Sequence, residues 1–356
     1  MKQEKSVKSW LKEWWDALIF AVVVATLFRW AFVEPYKIPT PSMEGSLLVG
    51  DFLFVSKFHY GTRTPITPFQ LPLTHQTVWG TEIPSYLSWV QLPFFRFPGF
   101  TEIKNNDAIV FNYPPEVDRP IDQKTHYIKR CIGTPGDTME IKNKVAMING
   151  NALEVLGDQQ SSYLVQSKTR LNERFFKKQG ISEVYPTQYG YLIQTSSVNA
   201  GKLESYEFVK TTHEITHNEP ERSTVFPNHK DFPWTQDFYG PLYIPQEGAT
   251  IPVNEDNLIL YGNLIRHYEH HQKVEILEDR LIIDGEEVSQ YTFRQNYYFM
   301  MGDNRHNSED SRYWGFVPED HVVGKALFVW FSMELEGDIL DLFQRIRWNR
   351  ILTWIE

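Results

Sequence analysis

The residues most suited to chemistry begin with a serine set between prolines near the N-terminus. Pro39 and Pro41 alternate with Thr40 and Ser42. Because proline fixes φ and disfavours helical backbone at the preceding residue, both hydroxyls are expected on stiff, extended backbone. Such a serine could act as a nucleophile, but an ordinary proline-rich turn between a helix and a strand would have the same composition. Distant residues must decide between these two interpretations.

A lysine in a later apolar run is the candidate base for that serine. Serine is a weak nucleophile until a base removes its proton, and lysine can do so only in its neutral form. A free lysine titrates near ~10.4, so burial must lower its pKa by roughly 3 units for this role. Lys129 lies in the largely apolar residues 127–132, where strand alternation sends Arg130 to the opposite face. These surroundings fit a neutral lysine, while a structural lysine on a half-exposed strand is the alternative.

Residues 298–318 hold a third concentration of reactive side chains. Aspartate, asparagine, arginine and serine crowd between two strand-like runs there. So many short polar and charged groups, with so little loop composition, predict a fixed hydrogen-bond network rather than a solvated face.

Short apolar runs predict the strands that must position these three stretches. Strands are predicted at 52–55, 107–111, 127–132 and 326–331, and two similar hairpins at 139–150 and 274–285. Helical patterns cover 172–179 and 255–268. The expected fold is mainly β, with room for two lobes in 356 residues.

Composition excludes several classes of protein. Hydrophobic residues at 42% and charged residues at 22% exclude a disordered or fibrous chain. A formal net charge of -10 argues against a general nucleic-acid binder. The single cysteine, Cys131, cannot close an intrachain disulfide. His267, His270 and His271 lack further ligands at metal-site spacing, so they are expected at a solvated helix end.

An apolar stretch near the N-terminus predicts a membrane anchor. Residues 17–33 contain one charge, Arg29, and would form about 25 Å of helix against a hydrocarbon core of roughly 30 Å. The stretch can span if Arg29 snorkels and nearby tryptophans lie in the interfaces. The alternatives are a buried core helix or a cleaved signal peptide, but no small-x-small site follows at 31–35. Lysines before the stretch predict a cytoplasmic N-terminus, with everything after residue 35 on the outer face.

Two further stretches are expected at surfaces. Residues 65–100 are rich in proline and aromatic side chains and have no helical or alternating period. Their rings could rest on lipid headgroups or pack on the domain's own core. The tail at 339–355 is amphipathic and basic, and either lies on the membrane or docks on the body.

Together the three reactive stretches resemble bacterial signal peptidase I. The segments IPTPSMEGSLLVGDF, YIKRCIGTPGD and MMGDNRHNSEDSRYWGFVP follow an N-terminal anchor in that family's order. The resemblance covers residues 12–60, 105–150 and 295–330. It implies a mainly β fold: a signal peptidase/LexA-like β catalytic core with an inserted α+β lobe and an N-terminal transmembrane helix. The expected domains are 1–35 for the cytoplasmic N-terminus and membrane anchor, 36–142 plus 292–335 for the catalytic core, 143–291 for the inserted cap lobe and 336–356 for the C-terminal tail.

The resemblance also implies roles for individual residues. Ser42 matches the family's nucleophile and Lys129 its general base. Thr40 matches the hydroxyl that joins the Ser42 backbone N–H in the oxyanion hole. Ser308 matches the residue that orients the lysine, and the supporting charged network is matched by Asp303, Arg305, Asp310 and Arg312. The small pockets for alanine-like side chains are matched by Ile38, Met43, Leu47, Tyr127 and Ile128.

The implied function is endoproteolysis of exported preproteins. A membrane-bound serine endopeptidase would remove signal peptides after a small-x-small motif, with Ser42 as nucleophile and Lys129 as base. The expected partners are signal-peptide-bearing preproteins and the lipid bilayer, with no nucleic acid, and a monomer is expected. The expected location is the bacterial cytoplasmic (inner) membrane, with the catalytic domain on the outer/periplasmic face. No cofactor and no metal are expected.

Several alternatives stay open. A Ser-His-Asp hydrolase would use His126 or His306 as base, but no G-x-S-x-G elbow surrounds Ser42. Cys131 is a weaker nucleophile candidate, since it lies on an apolar strand beside the proposed base. A self-cleaving repressor would carry a DNA-binding helix pair in place of the anchor, and an inactive chaperone or adhesion module would not need the nucleophile, base and orienting serine together. One departure from the family is Pro41, where many members have glycine, and it affects the geometry of the oxyanion hole.

Overall fold

The computed structural model describes residues 7–72, 74–154, 156–335, 341 and 343–355. Within these ranges the α-helices are α1 (Val7–Ala31), α2 (Glu173–Lys178), α3 (Ser197–Glu204), α4 (Glu255–Tyr268) and α5 (Ser311–Trp314). The helices predicted at 172–179 and 255–268 are confirmed as α2 and α4. The side chains of Asn172 and Asn254 accept hydrogen bonds from the first turns of these helices, which explains where each one begins.

Strands make up most of the remaining regular structure, which confirms the mainly β fold. Their bounds are β1 (Val33–Lys37), β2 (Asp51–Ser56), β3 (Ala108–Asn112), β4 (His126–Gly133), β5 (Thr138–Lys142), β6 (Val145–Ile148), β7 (Asn151–Ala152), β8 (Ser161–Ser167), β9 (Val184–Thr187), β10 (Gly190–Thr195), β11 (Val209–Glu214), β12 (Phe238–Tyr243), β13 (Thr250–Pro252), β14 (Val274–Leu277), β15 (Arg280–Ile283), β16 (Glu286–Val288), β17 (Gln290–Thr292), β18 (Tyr297–Met301), β19 (Val317–Pro318), β20 (Val322–Ser332) and β21 (Thr353–Trp354). The four strands predicted from apolar runs correspond to β2, β3, β4 and β20.

A central antiparallel sheet brings the three reactive stretches to one place. Its strand order is β1-β2-β20-β3-β4-β18-β19, and β21 pairs with β20. Lys129 of β4 pairs with Ile109 of β3 on one side, and its neighbour Arg130 pairs with Met301 of β18 on the other. The serine stretch connects β1 to β2, and the late stretch, residues 298–318, begins within β18. The topology therefore positions all three beside β4.

The interval predicted as one inserted lobe packs in two different ways. Residues 161–214, here called the small lobe, form the sheet β11-β8-β10-β9 and bury their own apolar cluster. By contrast, Leu258 and Tyr261 of α4 share a larger core cluster with Ile132 and Phe299 of the central sheet. Helix α4 therefore packs with the central sheet, and the boundaries 143–291 stay a prediction. The central sheet, which carries the predicted catalytic residues, is called the catalytic body below together with α4.

The two hairpins predicted at 139–150 and 274–285 are confirmed and prove to be parts of two three-stranded units. Strands β5, β6 and β7 pair in sequence, and β14, β15 and β16 repeat the arrangement. The Asn149-Gly150 and Asp284-Gly285 pairs adopt positive φ and join the second strand of each unit to the third. The Asn-Gly and Asp-Gly pairs therefore do form turns, but each forms the second turn of its unit and not the first.

Helix α1 is long and apolar enough to cross a membrane over residues 12–31, by length and composition. It begins at Val7, well before the predicted residue 17, because the charged and tryptophan-containing segment ahead of the apolar stretch continues the same helix. None of that span is buried against the rest of the chain. Arg29, expected to snorkel, donates a hydrogen bond to Glu34 of β1 at 2.6 Å.

The aromatic stretch at 65–100 has no continuous strand or helix over its described residues, 65–72 and 74–100, as predicted. The residues just before it are held at the end of α1, since the Trp30 indole donates to the Arg63 carbonyl at 3.0 Å and the Thr62 hydroxyl to the Ala31 carbonyl at 2.6 Å. Most of its large rings are exposed, including Trp79 at 72% and Trp89 at 80%. Exposure of this extent disfavours the core-packing alternative, and contact with lipid stays a prediction.

Candidate active site

A short turn presents Ser42 to the centre of the sheet. Residues Pro41–Met43 form one turn of 3-10 helix, with Thr40 extended before it. The late stretch holds this turn from the other side. The Asn304 backbone N–H donates to the Ser42 carbonyl at 3.1 Å, and the Asn304 amide to the Pro41 carbonyl at 3.4 Å. The two proline-flanked hydroxyls therefore lie on a turn that is fixed by a segment far along the chain.

The Lys129 amine contacts the Ser42 hydroxyl directly. Its Nζ lies 2.7 Å from Ser42 Oγ and 3.1 Å from the Ile128 carbonyl oxygen. The lysine is only 4% exposed. Burial lowers the pKa of Lys129 to about 8, against the opposing charges of Asp310 and Glu309. With that pKa, roughly a tenth of the lysine is neutral at pH 7, which is enough for a base within hydrogen-bond reach.

Ser308 does not hydrogen-bond the lysine, although the resemblance implied that it orients this side chain. Its Oγ is buried and has no partner among the described residues. The lysine instead directs its hydrogen bonds to Ser42 and to the Ile128 carbonyl. Ser308 is nevertheless close, because a Cβ on Gly302 would collide with both Ser308 Oγ and the Ser42 carbonyl oxygen. The glycine allows this close approach.

Asp310 and Arg312 form the expected ion pair. Arg312 donates to both carboxylate oxygens of Asp310, at 2.9 and 2.8 Å, and both side chains are buried. Burial alone would raise the pKa of Asp310, but the charge and hydrogen bonds of Arg312 lower it overall. The same carboxylate accepts the Gly302 N–H at 3.0 Å. The pair therefore fixes the backbone beside Ser308 and Ser42.

Asp303 pairs with Arg130 and not with Arg305. The Arg130 guanidinium donates to both Asp303 oxygens at 2.8 Å, and both side chains are 1% exposed. Asp303 also accepts a hydrogen bond from Ser46. Strand alternation predicts that Arg130 points away from Lys129, but it does not predict that Arg130 is buried. The sequence does contain an indication of this buried pair. Arg130 lies next to the candidate base on a strand that is expected to be buried, and a buried charge requires a partner.

Arg305 enters the network through its backbone. Its carbonyl accepts from Arg312 at 2.5 Å, and its N–H donates to the Gln160 carbonyl at 2.8 Å. Its Nε is buried and has no partner among the described residues. Burial lowers the pKa of Arg305 to about 10. Arg305 therefore lies in the same network as Arg312 and Asp310, through its main chain.

The predicted oxyanion groups are both available on the turn. Ser42 is the second residue of its 3-10 turn, so its N–H has no acceptor within that turn. The side chain of Thr40 makes no capping hydrogen bond, and the residue is exposed. Pro41, between them, occupies the first helical position, where a missing N–H costs least.

Four of the five predicted pocket residues lie together. Ile38, Met43 and Leu47 are buried in one apolar cluster, and Ile128 packs against it. Tyr127 lies on the other side of β4, against a different cluster, and its ring centroid is 5.3 Å from Lys129 Nζ. Strand alternation explains the division, because consecutive residues of β4 face opposite sides.

Contacts from the small lobe reach the site and were not predicted. The Ser182 hydroxyl donates to Glu44, two positions after the nucleophile, at 3.0 Å. The Asn307 amide donates to Glu183 at 2.5 Å. These polar contacts join elements that are far apart in the chain, so no local pattern marks them.

The alternative bases are engaged elsewhere. The ring of His126 lies against His75 and Tyr36, and burial lowers the pKa of His126 to about 3. His306 contacts Asp237 at 2.9 Å and accepts the Ser162 N–H at 3.1 Å. Cys131 is fully buried, and its thiol donates to the Gly133 carbonyl. None of these side chains has a hydrogen bond to Ser42 in the described part of the chain.

Comparisons with known proteins match the sequence of this chain to one family. The family profile described as "Signal peptidase, peptidase S26" matches residues 11–208 and 246–331. The signal peptidase I of Helicobacter pylori strain J99 is 25% identical over 369 residues, which cover 100% of this chain and 96% of that protein. The signal peptidase I of Haemophilus influenzae is 27% identical over 92% of this chain and 71% of its own length. That of Buchnera aphidicola subsp. Schizaphis graminum is 27% identical over 87% of this chain and 72% of its own length. The chain therefore belongs to the signal peptidase family, peptidase S26.

Proposed function

We propose that this chain is a membrane-bound serine endopeptidase that removes signal peptides from exported preproteins after a small-x-small motif. Its family cleaves signal peptides, and the names of its relatives carry the same activity. The observation that carries the proposal is the 2.7 Å contact between Lys129 Nζ and Ser42 Oγ. A buried amine beside a fixed hydroxyl has the geometry of an activated nucleophile.

In the proposed reaction, neutral Lys129 accepts the proton of Ser42 as the hydroxyl oxygen attacks the substrate carbonyl. The Ser42 N–H and the Thr40 hydroxyl stabilise the resulting oxyanion. The protonated lysine then gives its proton to the leaving amine, which leaves an acyl-enzyme on Ser42. A water molecule attacks this ester, Lys129 again removes a proton, and the signal peptide leaves with a new carboxyl terminus. This Ser-Lys arrangement is a known variant of the serine-protease triad.

Substrate selection in this proposal depends on the apolar cluster beside the nucleophile. Ile38, Met43 and Leu47 come from the same short segment as Ser42, so their packing and its position are coupled. Walls made of aliphatic side chains next to the attacking hydroxyl suit small apolar residues at the cleavage site. Each added methylene of substrate would have to displace close-packed atoms, which disfavours larger side chains.

The proposal is tested by single substitutions in the full-length protein with a preprotein substrate. Ser42→Ala and Lys129→Ala should each abolish cleavage, because one removes the attacking oxygen and the other its base. Lys142→Ala is a matched control, since this lysine is exposed on β5 and pairs with Glu140. Sequencing the new N-terminus of the product gives the cleavage motif. Near-normal cleavage by either variant, or cleavage that does not follow a small-x-small motif, would contradict the proposal.

We also propose that α1 crosses the cytoplasmic membrane with its N-terminus inside. The lysines at positions 2, 5, 8 and 12 precede the apolar span, and positive charge is retained on the cytoplasmic side. Protease added to the outside of spheroplasts should then digest everything after α1. Complete protection of the catalytic body would mean the opposite orientation.

A further inference from the structure

The C-terminal tail, residues 343–355, docks on the loop that carries the proposed nucleophile. This nucleophile loop runs from Ser42 to Asp51, at the start of β2. The tail lies along the body as a 3-10 turn, Trp348–Arg350, followed by β21 on the edge of β20. The structure therefore has the tail docked on the body, which is one of the two alternatives given by the sequence. Two arginine side chains make the contacts.

Arg350 binds the end and the middle of the nucleophile loop at once. Its Nη2 lies 2.5 Å from Asp51 Oδ2, and its Nε lies 3.1 Å from Asp51 Oδ1. The same Nη2 donates to the Ser46 carbonyl at 2.8 Å. A single guanidinium therefore joins two points of the loop that are five positions apart.

Arg347 adds a second tail contact to the same loop. Its Nη1 donates to the Val49 carbonyl at 2.9 Å, and its backbone N–H to the Ser332 carbonyl at 2.9 Å. The Ser332 hydroxyl in turn donates to Asp51 at 2.6 Å. Arg347 and Arg350 thus both bind the C-terminal end of the nucleophile loop, at Val49 and Asp51.

Asp51 makes these contacts necessary. Its side chain is 0% exposed, and it also accepts the Leu48 N–H at 2.8 Å within the loop. A buried carboxylate that loses its cation has to find water or another partner. Without Arg350, the nearest remaining cation is Arg347, whose Nη1 is 4.0 Å away. The loop would therefore have to rearrange to bring the carboxylate towards solvent.

The far side of the loop is already fixed by the late stretch. Ser46 donates to Asp303 and accepts from Arg130 at 2.9 Å, while its carbonyl accepts from Arg350. One residue, four positions after the nucleophile, is thus held by the catalytic body on its side chain and by the tail on its backbone. The nucleophile loop is therefore held between the catalytic body and the tail, and the tail supplies the contacts to its backbone at Ser46.

We propose that the C-terminal tail is a clamp that positions Ser42 against Lys129, with Arg350 as its principal positioning residue. The inference rests on the proposed Ser-Lys chemistry, because it concerns the placement of that nucleophile. Reaction rates are steep functions of such placement, and an error of about 1 Å can cost on the order of 10²-fold in rate. The clamp should therefore act on kcat in enzyme that is fully folded.

The test compares tail variants of the full-length protein on a preprotein substrate at saturating concentration. Arg350→Gln removes the charge and the fork, and we expect kcat to fall about tenfold or more. Arg350→Lys keeps a cation near Asp51 without the fork, so it should recover part of that loss. Arg345→Gln is the matched control from the same tail, because Arg345 donates to the Glu334 and Leu335 carbonyls, outside the loop. It should leave kcat within about twofold of the starting enzyme.

Thermal unfolding of each variant, measured alongside, separates positioning from loss of structure. Full kcat in Arg350→Gln would overturn the proposal, and so would a loss that merely follows the fraction of unfolded protein. If Arg350→Gln does not fold, Arg347→Gln decides. It removes the side-chain hydrogen bonds to the Val49 carbonyl and the Ser332 hydroxyl and the 4.0 Å ion pair with Asp51, and it leaves the Arg350 contacts in place. Reduced kcat at an unchanged melting temperature supports the clamp, and unchanged kcat overturns it. Ser42→Ala run in parallel keeps the two proposals apart. Activity in that variant would refute the dyad, whereas an inactive Ser42→Ala beside a fully active Arg350→Gln would refute only the clamp.

Discussion

The catalytic body and the small lobe are built from different kinds of contact. Around Ser42 the contacts that fix the site are polar and buried, and they join residues far apart in the chain. Lys129 lies 87 positions from Ser42, and Arg350 lies 299 positions from Asp51. The small lobe instead buries an apolar cluster contributed by its own residues, including Phe176 and Leu203. The difference suggests that substitutions in the first region change chemistry, while those in the second change stability.

The physical reason lies in what burial requires of each side chain. A buried charge is tolerated only with its partner in place, so pairs such as Asp303 with Arg130 demand exact placement of both elements. A buried aliphatic side chain requires only that neighbouring atoms fill the space around it. The catalytic body therefore depends on the placement of paired charges, and the small lobe depends on the filling of its own apolar interior.

The largest expected effect comes from changing the base while keeping its charge and approximate length. Lys129→Arg should lose at least about 10⁴-fold in kcat/KM, because a guanidinium stays protonated at every accessible pH and cannot accept the Ser42 proton. The measurement is cleavage of a preprotein by the full-length variant, with circular dichroism to verify folding. Substantial activity in Lys129→Arg would mean that another residue is the base. The catalytic body would then not differ from the small lobe through the chemistry of Lys129.

The matching substitution in the small lobe should affect stability alone. Leu203 is fully buried on α3, so Leu203→Ala should lower the local unfolding free energy by about 2–5 kcal/mol through lost burial and a residual cavity. Native-state hydrogen exchange over residues 161–214 would measure it. Val198→Ala, which alters an exposed side chain of the same helix, is the control. A kcat/KM that falls more than about tenfold at temperatures where the lobe is folded would contradict the division.

The pH dependence should report the buried lysine. The base acts only when neutral, and the pKa of Lys129 is about 8, so kcat/KM should fall about tenfold for each pH unit below that value and level off above it. Between pH 8 and pH 6 the loss should be about 50-fold, because half of the lysine is already protonated at pH 8. A pH–rate profile of the full-length enzyme measures this limb. A flat profile over that range, or activity that rises towards acid, would contradict a neutral lysine as base.

The same limb sharpens the comparison of the two regions. Lobe substitutions such as Leu203→Ala leave the surroundings of Lys129 unchanged. The midpoint of the pH–rate limb should therefore not move in that variant. Substituting Glu309, whose charge opposes the lowering of the Lys129 pKa, with glutamine should shift the limb towards lower pH. A limb that moves with the lobe variant and not with Glu309→Gln would show that the lysine senses the lobe's packing.

Sequence reasoning reached the parts of the molecule that have local signals. Strands β2 to β4 follow from apolar runs, and α4 from the periodicity of its apolar residues. Ser42 and Lys129 stand out because proline stiffness and an apolar strand are visible in short segments. Their pairing with each other, however, came from family resemblance and not from periodicity.

The remaining contacts leave no trace in a short window of sequence. Arg350 lies in a tail whose amphipathic character fitted a membrane surface equally well, and only the coordinates bring it to Asp51. Ser308 was assigned a hydrogen bond to Lys129, but that bond depends on the direction of one hydroxyl and one amine. The lysine donates to Ser42 and Ile128 instead. Residue types and spacing identify such a cluster, but they do not determine which of its members pair.

The smallest expected effect is at the contact that joins the two regions. The Ser182 hydroxyl donates to Glu44, which is 7% exposed and whose pKa is raised by burial. Ser182→Ala should lower the unfolding free energy by about 1–2 kcal/mol, because it removes one donor from a buried carboxylate. Because Glu44 follows the nucleophile by two positions, kcat should also fall, by less than about tenfold.

Chemical denaturation and steady-state kinetics of Ser182→Ala measure both quantities. Ser182→Thr, which keeps the hydroxyl, should retain most of each. The control is Ser205→Ala, which removes a hydroxyl that donates to the Lys202 carbonyl within the lobe. If Ser182→Ala changed stability but not kcat, the lobe would be a passive neighbour of the nucleophile loop. A loss of kcat as large as that of the Arg350 variant would instead mean that the lobe clamps the loop as strongly as the tail does, and the catalytic body and the small lobe would have to be treated as one functional unit.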